Sequence, residues 1–388
     1  MKNIRILVLI LCACFVSVAW GEQLTCPADT PWGQFHRHNM QRWNPCEKVL
    51  NVNNVGSLQL KWSYPTGKDN AVVSSPAVVN GVVYFGATDY DGNLYALKAS
   101  TGAKLWSYIT SKVVASSPAV ANGVVYVGSY DDFVYAVNAR TGAGLWGTDL
   151  GDLIETSPTV VNGVVYLGAV TGCLSALNAS TGADLWRYCT NGSPSSAAVA
   201  NGVVYLGSGD GNVYALNAIT GAKLWSYATA NDVSESSPAV ADGVVYVGST
   251  DDSSFTGTLY ALKASTGALL WSYPTRGRLY SSPAVANGVV YVGSVDKNVY
   301  ALNAKTGAKL WSYTTGSFVT SSPAVANGVV YVLSDNLYAL KASTGALLWS
   351  YPVSGSTNVC CLSSSPAVVN GAVYVGSVDG NVYAFGLK

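Results

Sequence analysis

The sequence predicts an all-β protein, an eight-bladed β-propeller of four-stranded blades, from three observations. A phrase such as SSPAVANGVVYVGS recurs with a period of about 40 residues. Each unit contains four short runs with strand character, and a tryptophan follows a Thr-Gly turn in seven of the units. Four-stranded repeats of this length are typical of propeller blades, which stack side by side around a central channel.

Each strand of the repeat has a local reason to form. The first strand, SSPAV, contains a proline that cannot donate to a ladder, so it belongs at a sheet edge facing the channel. An Asn-Gly or Asp-Gly dipeptide follows and predicts a two-residue hairpin turn. The next strand, GVVYVGS, is apolar on both faces, as expected where neighbouring blades cover both. NVYALNA and AKLWSY supply the third and fourth strands.

The tryptophans indicate how the ring closes. The last unit ends at NVYAFGLK and has no fourth strand, whereas LQLKWSYPTG at residues 58–67 matches the fourth strand of the other units. We therefore expect this N-terminal strand to complete the last blade. The predicted blade-docking tryptophans are Trp62, Trp106, Trp146, Trp186, Trp225, Trp271, Trp311 and Trp349.

Charge and the N-terminus indicate an exported protein. Basic and acidic residues number 21 each, so no basic surplus indicates a nucleic-acid partner. Residues 1–21 have the basic start, short apolar run and small-residue end of a signal peptide, and the apolar run is too short to span a bilayer. We expect a periplasmic or secreted monomer with no transmembrane segment. An alternative is a lipid anchor at Cys14.

The chain after the signal peptide divides into a leader, residues 22–57, and the propeller, residues 58–388. Six cysteines remain there, and an even count in an exported chain predicts disulfides. Cys173 and Cys189 lie on one hairpin, equally far from its turn, and should be bonded. Both Cys26 and Cys46 lie in the leader, where a bond between them would contribute roughly 3 kcal/mol.

Comparison of the repeats with one another indicates the binding face. The Asn-Gly and Thr-Gly turns are nearly constant, whereas the connections between strands two and three and those between blades vary. Both variable connections emerge on one face, which we call the variable-loop face, and we expect a protein partner or a small polar ligand to bind there. Its charged and aromatic residues include Asp149, Asp152, Glu155, Asp232, Glu235, Arg276, Arg278, Tyr90, Tyr130, Phe255, Tyr280 and Phe318.

Motifs for catalysis or metal binding are weak. The only histidines are His36 and His38 in the leader, so a Ser-His-Asp triad or a His-rich metal site in the propeller is excluded. TDYDGN (88–93) lacks a glycine and a glutamate at the spacing that a calcium loop requires, and GSGDGN (207–212) joins two strands without opening a helix. We interpret both as hairpin turns and assign no catalytic residue and no metal ligand.

The repeat resembles the PQQ-type β-propeller repeat, because TGAKLW, TGADLW and TGALLW look like that family's tryptophan-docking motif. The family includes quinoprotein alcohol dehydrogenases and the outer-membrane assembly lipoprotein BamB, so the resemblance implies a fold more than a function. Those dehydrogenases carry a vicinal disulfide between blades on the cofactor side. Cys360 and Cys361 occupy a similar place, so the resemblance implies a Cys360–Cys361 disulfide, as a quinone-stacking ring or a loop staple.

We expect an exported binding or scaffold module that performs no chemistry and needs no cofactor. One alternative is a dehydrogenase using pyrroloquinoline quinone and calcium, with Cys360, Cys361, Arg276 and Arg278 as cofactor contacts. The other is a BamB-like envelope assembly factor. All eight propeller tryptophans are expected to dock neighbouring blades, and no long insertion supplies a floor to the channel. We therefore expect no tight binding of the quinone.

Overall fold

The computed structural model describes residues 32–37, 40–67, 70–88, 92–229, 231–353 and 363–388, and these form the predicted eight-bladed β-propeller. In each blade the strands follow one another from the channel outwards. The first strands of neighbouring blades contact one another around the channel. Successive residues of the second strands are buried against the blades on either side, as their apolar pattern predicts.

Within the described ranges, the strands and the 3-10 turn have the following bounds. Before the first blade come β1 (Trp43–Asn44), the 3-10 turn (Val55–Ser57) and β2 (Gln59–Pro65). Blade one contains β3 (Ala77–Val79), β4 (Val82–Gly86), β5 (Asn93–Lys98) and β6 (Lys104–Ile109). Blade two contains β7 (Ala119–Ala121), β8 (Val124–Gly128), β9 (Phe133–Asn138) and β10 (Gly144–Asp149). Blade three contains β11 (Thr159–Val161), β12 (Val164–Gly168), β13 (Cys173–Asn178) and β14 (Asp184–Cys189). Blade four contains β15 (Ala198–Ala200), β16 (Val203–Gly207), β17 (Asn212–Asn217) and β18 (Lys223–Ala228).

The second half of the ring repeats this arrangement. Blade five contains β19 (Ala239–Ala241), β20 (Val244–Asp251), β21 (Thr256–Lys263) and β22 (Leu269–Thr275). Blade six contains β23 (Ala284–Ala286), β24 (Val289–Gly293), β25 (Asn298–Asn303) and β26 (Lys309–Thr314). Blade seven contains β27 (Ala324–Ala326), β28 (Val329–Leu333), β29 (Asn336–Lys341) and β30 (Leu347–Pro352). Blade eight contains β31 (Ala367–Val369), β32 (Ala372–Gly376) and β33 (Asn381–Gly386), completed by β2. Within the described ranges, no helix has the length and apolar character that crossing a bilayer requires.

The ring closes as predicted, because β2 pairs antiparallel with β33 and places Trp62 opposite Ala384. The eighth blade therefore has the order β2-β33-β32-β31 from its outer edge to the channel. One sheet thus joins the N-terminal strand to the last three strands of the chain, and no blade is left with an incomplete outer edge.

The innermost strands begin three residues later than the phrase SSPAV suggests, after its two serines and its proline. In blade one the strand starts at Ala77, directly after Pro76, and it has only three residues. Asn80 and Gly81 then form the predicted hairpin turn, with φ values of 51° and 71° that the two-residue type I′ turn requires. Ser75, directly before the proline, does not join the ladder, since its backbone N–H donates to Ser117 of the next blade, as described below.

Each docking tryptophan packs on the blade that follows it around the ring. The indole N–H of Trp186 donates to the carbonyl oxygen of Ala218 at 3.0 Å. Gly221, from the Thr-Gly turn of that blade, has φ +70° and lies so close that an added Cβ would sit 2.7 Å from the Trp186 ring. The Thr-Gly turn is therefore needed both for its backbone conformation and for the space it leaves to the indole.

The closing blade uses a different partner for the same contact. The indole N–H of Trp349 donates to the carbonyl oxygen of Leu58 at 3.1 Å. Leu58 directly follows the 3-10 turn Val55–Ser57, which packs against β30 where a Thr-Gly turn lies in other blades. The leader residues just before β2 therefore take part in closing the ring.

We expect Gly221→Ala to destabilise the propeller more than Gly163→Ala. Both glycines have positive φ, +70° and +77°, so alanine costs about 1–2 kcal/mol of backbone strain at either position. Only at Gly221 does the added methyl group meet an indole, which costs about 1–3 kcal/mol more. Nothing lies within 4 Å of the Cβ position at Gly163. Urea unfolding of the two variants measures the difference, and equal midpoints would show that tryptophan docking is not tightly packed.

The third blade contains the predicted Cys173–Cys189 disulfide, between residues that stand opposite each other on β13 and β14. Cys46 is also disulfide-bonded. The predictions for Cys26, Cys360 and Cys361 fall outside the described part of the chain.

Candidate functional site

The leader winds once around the inside of the ring and closes one end of the channel. At blade one, Trp32 exchanges two backbone hydrogen bonds with Val78 of β3. At blade eight, the Asn44 side-chain amide donates to the carbonyl oxygen of Val368 at 2.9 Å. Between them, leader oxygens accept the backbone N–H of the innermost strands at Val120, Val160, Val240, Val285 and Val325. The exposed inner edges of the blades are therefore largely paired by residues 32–37 and 40–44 of the leader, which we call the plug.

Arg42 anchors the plug in the channel. Its side chain is fully buried, and burial lowers its pKa to about 9, so the guanidinium stays charged at neutral pH. The guanidinium lies 4.6 Å from the ring centre of Phe35. It donates hydrogen bonds to carbonyl oxygens of the plug and of two blades, at Phe35, Ser322, Pro323 and Pro366. A buried charge with this many acceptors holds the plug in one register.

His36 lies beside this anchor as a neutral, packed side chain. It is buried edge-on against Phe35, with ring centres 4.9 Å apart, and neither ring nitrogen has a hydrogen-bond partner among the described residues. Burial and the charge of Arg42 lower its pKa to about 3. His38, its companion in the sequence, lies outside the described residues.

Beyond the plug the channel widens into a cavity of about 340 Å³, which we call the channel cavity. Phe35 lines it from the plug side, serines at the start of the innermost strands form its wall, and between-blade connections form its mouth. It therefore lies on the variable-loop face. Its volume falls within the roughly 300–1,000 Å³ of ordinary ligand pockets. The floor comes from the leader, which enters the channel, and not from an insertion between strands.

The wall consists of one serine from each blade, linked into a ring. The backbone N–H of Ser117 donates to the hydroxyl oxygen of Ser157 at 3.1 Å, and the ring closes where Ser365 donates to Ser75 at 2.9 Å. Seven such links exist among the eight described serines. The wall serines are Ser75, Ser117, Ser157, Ser196, Ser237, Ser282, Ser322 and Ser365.

The hydroxyl hydrogens of the serine ring are uncommitted. Where a hydroxyl oxygen accepts a backbone N–H, its own hydrogen has no acceptor among the described residues, so it is free to donate into the cavity. Ser237 differs from the rest because the link from Ser196 is missing. Its side chain is only 5% exposed, it lines the cavity, and its hydroxyl makes no hydrogen bond to any described residue.

The mouth of the cavity is acidic on one side. Glu155, Asp232 and Glu235 line it, and the described lining contains no lysine or arginine. None of the three carboxylates forms a salt bridge within the described residues. Glu155 accepts a hydrogen bond from the hydroxyl of Tyr130 at 2.6 Å.

The neighbouring carboxylates affect the pKa of Glu235. Although much of its side chain is solvent-exposed, burial of the carboxyl group and then repulsion by Asp232, Glu155 and Asp252 raise its pKa to about 7. A carboxyl group with raised pKa and no counter-ion is stabilised when a cation approaches.

The two arginines predicted at the rim do not line the cavity. Arg278 forms an ion pair with Asp252 at 3.0 Å and lies over the ring of Phe255 at 4.3 Å. It also donates to the hydroxyl of Tyr280 at 3.1 Å, and Tyr280 does line the cavity. Arg276 is exposed and lies outside the lining. Arg278 therefore positions a lining residue and offers no free charge to a ligand.

The predicted cysteine pair lies in a connection that leads to the cavity. Cys360 and Cys361 themselves are outside the described residues, and the described chain resumes at Ser363, which lines the cavity. The hydroxyl of Ser363 is 2.7 Å from that of Thr320. The described mouth is therefore acidic beside blades three and five and rich in hydroxyl groups beside blades seven and eight.

These features define a class of protein, the eight-bladed propeller of PQQ-type repeats, here with its channel closed by its own leader. The chain belongs to the family described as outer membrane protein assembly factor BamB, whose model matches residues 91–251 and 231–388. A second family model, described as the beta-propeller domain of glucose/ethanol/alcohol dehydrogenase, matches residues 32–116, which include the plug.

Individual relatives match short parts of the chain. The dehydrogenase subunit of the quinone alcohol dehydrogenase of Gluconobacter oxydans is 38% identical over 78 residues, 20% of this chain and 10% of the relative. Quinoprotein alcohol dehydrogenase PedE of Pseudomonas putida is 42% identical over 72 residues, 18% of this chain and 11% of the relative. The matched segments thus span about a tenth of the length of these relatives.

Solved structures of both kinds share the fold. BamB from Moraxella catarrhalis has a TM-score of 0.69 at 21% identity, covering 85% of this chain and 98% of its own. A quinohemoprotein alcohol dehydrogenase from Comamonas testosteroni has a TM-score of 0.78 at 18% identity, covering 92% and 80%. At these identities the likeness shows the fold alone.

Proposed function

We propose that the protein is an exported binding module that engages a small polar ligand in the channel cavity and performs no chemistry of its own. The observation that carries this proposal is the serine ring. Its buried hydroxyl groups line a closed-bottomed cavity on the variable-loop face and keep hydrogens uncommitted. Hydrogen-bonding groups that converge in a preformed pocket are what a polar ligand requires.

The described residues do not fit the quinone cofactor of the dehydrogenase relatives. Pyrroloquinoline quinone is a planar tricarboxylate, whereas the described lining carries three carboxylates and no cation. Among the described residues, no group of three or more His, Cys, Asp or Glu is arranged to hold a metal ion. A tricarboxylate would meet repulsion at this mouth without a cation to offset it.

A second candidate function is that of an envelope assembly factor, which the family description favours. In this case a protein partner would contact the variable-loop face, where Phe255 is 65% exposed and held by Arg278. This role would suit a lipid anchor at Cys14. The mass of the N-terminal peptide of the mature protein decides that point.

We expect Ala115→Trp to abolish ligand binding, because Ala115 lines the cavity and an indole there would fill its mouth. The matched control is Ile109→Trp, at an outer-strand position that is 65% exposed and outside the cavity. Both variants and the parent protein are titrated by calorimetry with a panel of sugars, amino sugars and sugar acids. If no compound binds, or if Ala115→Trp binds as the control does, the cavity is not the site.

A further inference from the structure

We infer that the channel cavity selects a small organic cation that also carries hydroxyl groups, a ligand of the amino-sugar type. This inference rests on the proposed function and names the chemical class that the same cavity takes. Three independent features of the lining lead to it: unpaired negative charge at the mouth, uncommitted hydroxyl groups on the wall, and an aromatic floor.

The carboxylates at the mouth favour a positively charged ligand. Glu155, Asp232 and Glu235 bring three carboxylates to one cavity in a chain whose basic and acidic residues are otherwise balanced, 21 of each. Arg278, which bonds to the lining residue Tyr280, is already engaged by Asp252 and Phe255. A cationic ligand therefore gains attraction from groups that the protein itself leaves without a counter-ion.

The wall requires hydrogen-bond acceptors on the ligand. Ser237 is the clearest sign, because its side chain is only 5% exposed and lines the cavity. Its hydroxyl has no hydrogen-bond partner among the described residues and faces the cavity. The other ring serines add donors at the same depth, since their oxygens are used and their hydrogens are not. Ligand hydroxyl groups can both accept these hydrogens and donate to the carboxylates.

The aromatic floor favours a ligand that has one apolar face. Phe35 is partly exposed, and the cavity is where it meets solvent. It is held in place from below by Arg42, whose guanidinium stacks on its ring. A saturated ring with C–H groups on one face and polar groups at its edge packs on such a floor, whereas a fully polar ion does not.

Four probes of similar size separate these requirements. Glucosamine carries both a cation and hydroxyl groups, glucose lacks the cation, glucuronate reverses the charge, and cyclohexylamine lacks the hydroxyl groups. We expect glucosamine to bind at least about tenfold more tightly than glucose or cyclohexylamine, because one charge-assisted hydrogen bond has about that effect. Glucuronate should bind weakest. Calorimetric titration of the full mature protein at pH 7 measures all four.

Two substitutions then assign the preference to residues. Glu235→Gln keeps the shape and removes a carboxyl group that a bound cation would hold in its charged form, so it should weaken glucosamine about tenfold and leave glucose nearly unchanged. The control is Asp149→Asn, an exposed carboxylate on the same face that lies outside the cavity. Ser237→Ala should weaken both sugars without lowering the unfolding temperature, because its hydroxyl bonds to nothing described in the protein.

The outcomes separate this inference from the proposed function. If glucose or glucuronate binds as well as glucosamine and Ala115→Trp abolishes that binding, the binding module stands and the cationic preference is wrong. If glucosamine binds equally to the parent protein, Glu235→Gln and Ala115→Trp, it binds elsewhere, and both proposals fail. A selective loss in Glu235→Gln, absent in Asp149→Asn, supports the inference.

Discussion

A variant that begins at Gly67 is expected to be insoluble or to lose cooperative unfolding. It lacks β2, so β33 is left as an uncovered edge in the eighth blade. It also loses Trp62, whose indole donates to Ala99 in blade one at 2.8 Å. An open ring with a free strand edge and an undocked blade exposes apolar surface and invites edge-to-edge association. Thermal unfolding followed by circular dichroism, together with the soluble yield, measures the effect.

Two further variants separate the contribution of β2 from that of the leader. A chain that begins at Lys48 lacks the plug but keeps the 3-10 turn and β2, so it should still unfold cooperatively, at a lower temperature. A permuted chain that begins at Gly67 and carries residues 58–66 after Lys388 should recover folding. Gln59 lies opposite Gly386, so Leu387, Lys388 and Leu58 form a three-residue hairpin loop and no added linker is needed. If the Gly67 variant melts like the Lys48 variant, β2 does not close the ring.

The propeller fold could be predicted because the same sequence pattern recurs from blade to blade. The docking tryptophan, the Asn-Gly turn and the apolar second strand recur in unit after unit, and each has a local physical reason. Ring closure followed from the same repetition, since residues 58–67 match a strand that the last unit lacks. Even the short first strand has a cause visible in the sequence, because its proline cannot join a ladder.

The plug was not predictable in the same way. It occurs once, so no repeat reveals it, and it pairs with the blades mainly through backbone atoms, which any residue supplies. Nothing in the sequence around His36 indicated that its side chain would be buried and neutral inside the channel. One clue was present: RHNMQRW places two arginines in a segment with little other charge. A buried guanidinium satisfying several carbonyl groups is one use of such a residue.

The cavity was predictable in place and only partly in composition. Glu155, Asp232 and Glu235 were on the face expected to bind, and they line the cavity. Arg276 and Arg278 were on the same face, and they do not. All five residues lie in variable connections of the sequence. Arg278 does not line the cavity because its ion pair with Asp252 draws it towards the loop that contains Asp252. Contacts between irregular loops depend on such pairings, which strand periodicity does not encode.

Arg42→Ala is expected to destabilise the folded protein by about 3–5 kcal/mol, since it leaves buried carbonyl groups without their donor. The side chain is 0% exposed and bonds to oxygens of the plug, blade seven and blade eight. Arg42→Lys should lose somewhat less stability, because an ammonium group keeps the charge. It still lacks the planar fork that reaches several acceptors at once.

The matched control for Arg42→Ala is Arg187→Ala, at an exposed arginine that pairs with Asp184 at 3.4 Å on an outer strand. Such a surface pair contributes at most about 1 kcal/mol, so its loss should barely move the urea midpoint. Arg42→Ala should lower the midpoint and also weaken any ligand in the channel cavity, because Phe35 loses the guanidinium that supports it. If both alanine variants unfold alike, the plug is not anchored in the channel, and the cavity has no fixed floor on which to bind a ligand.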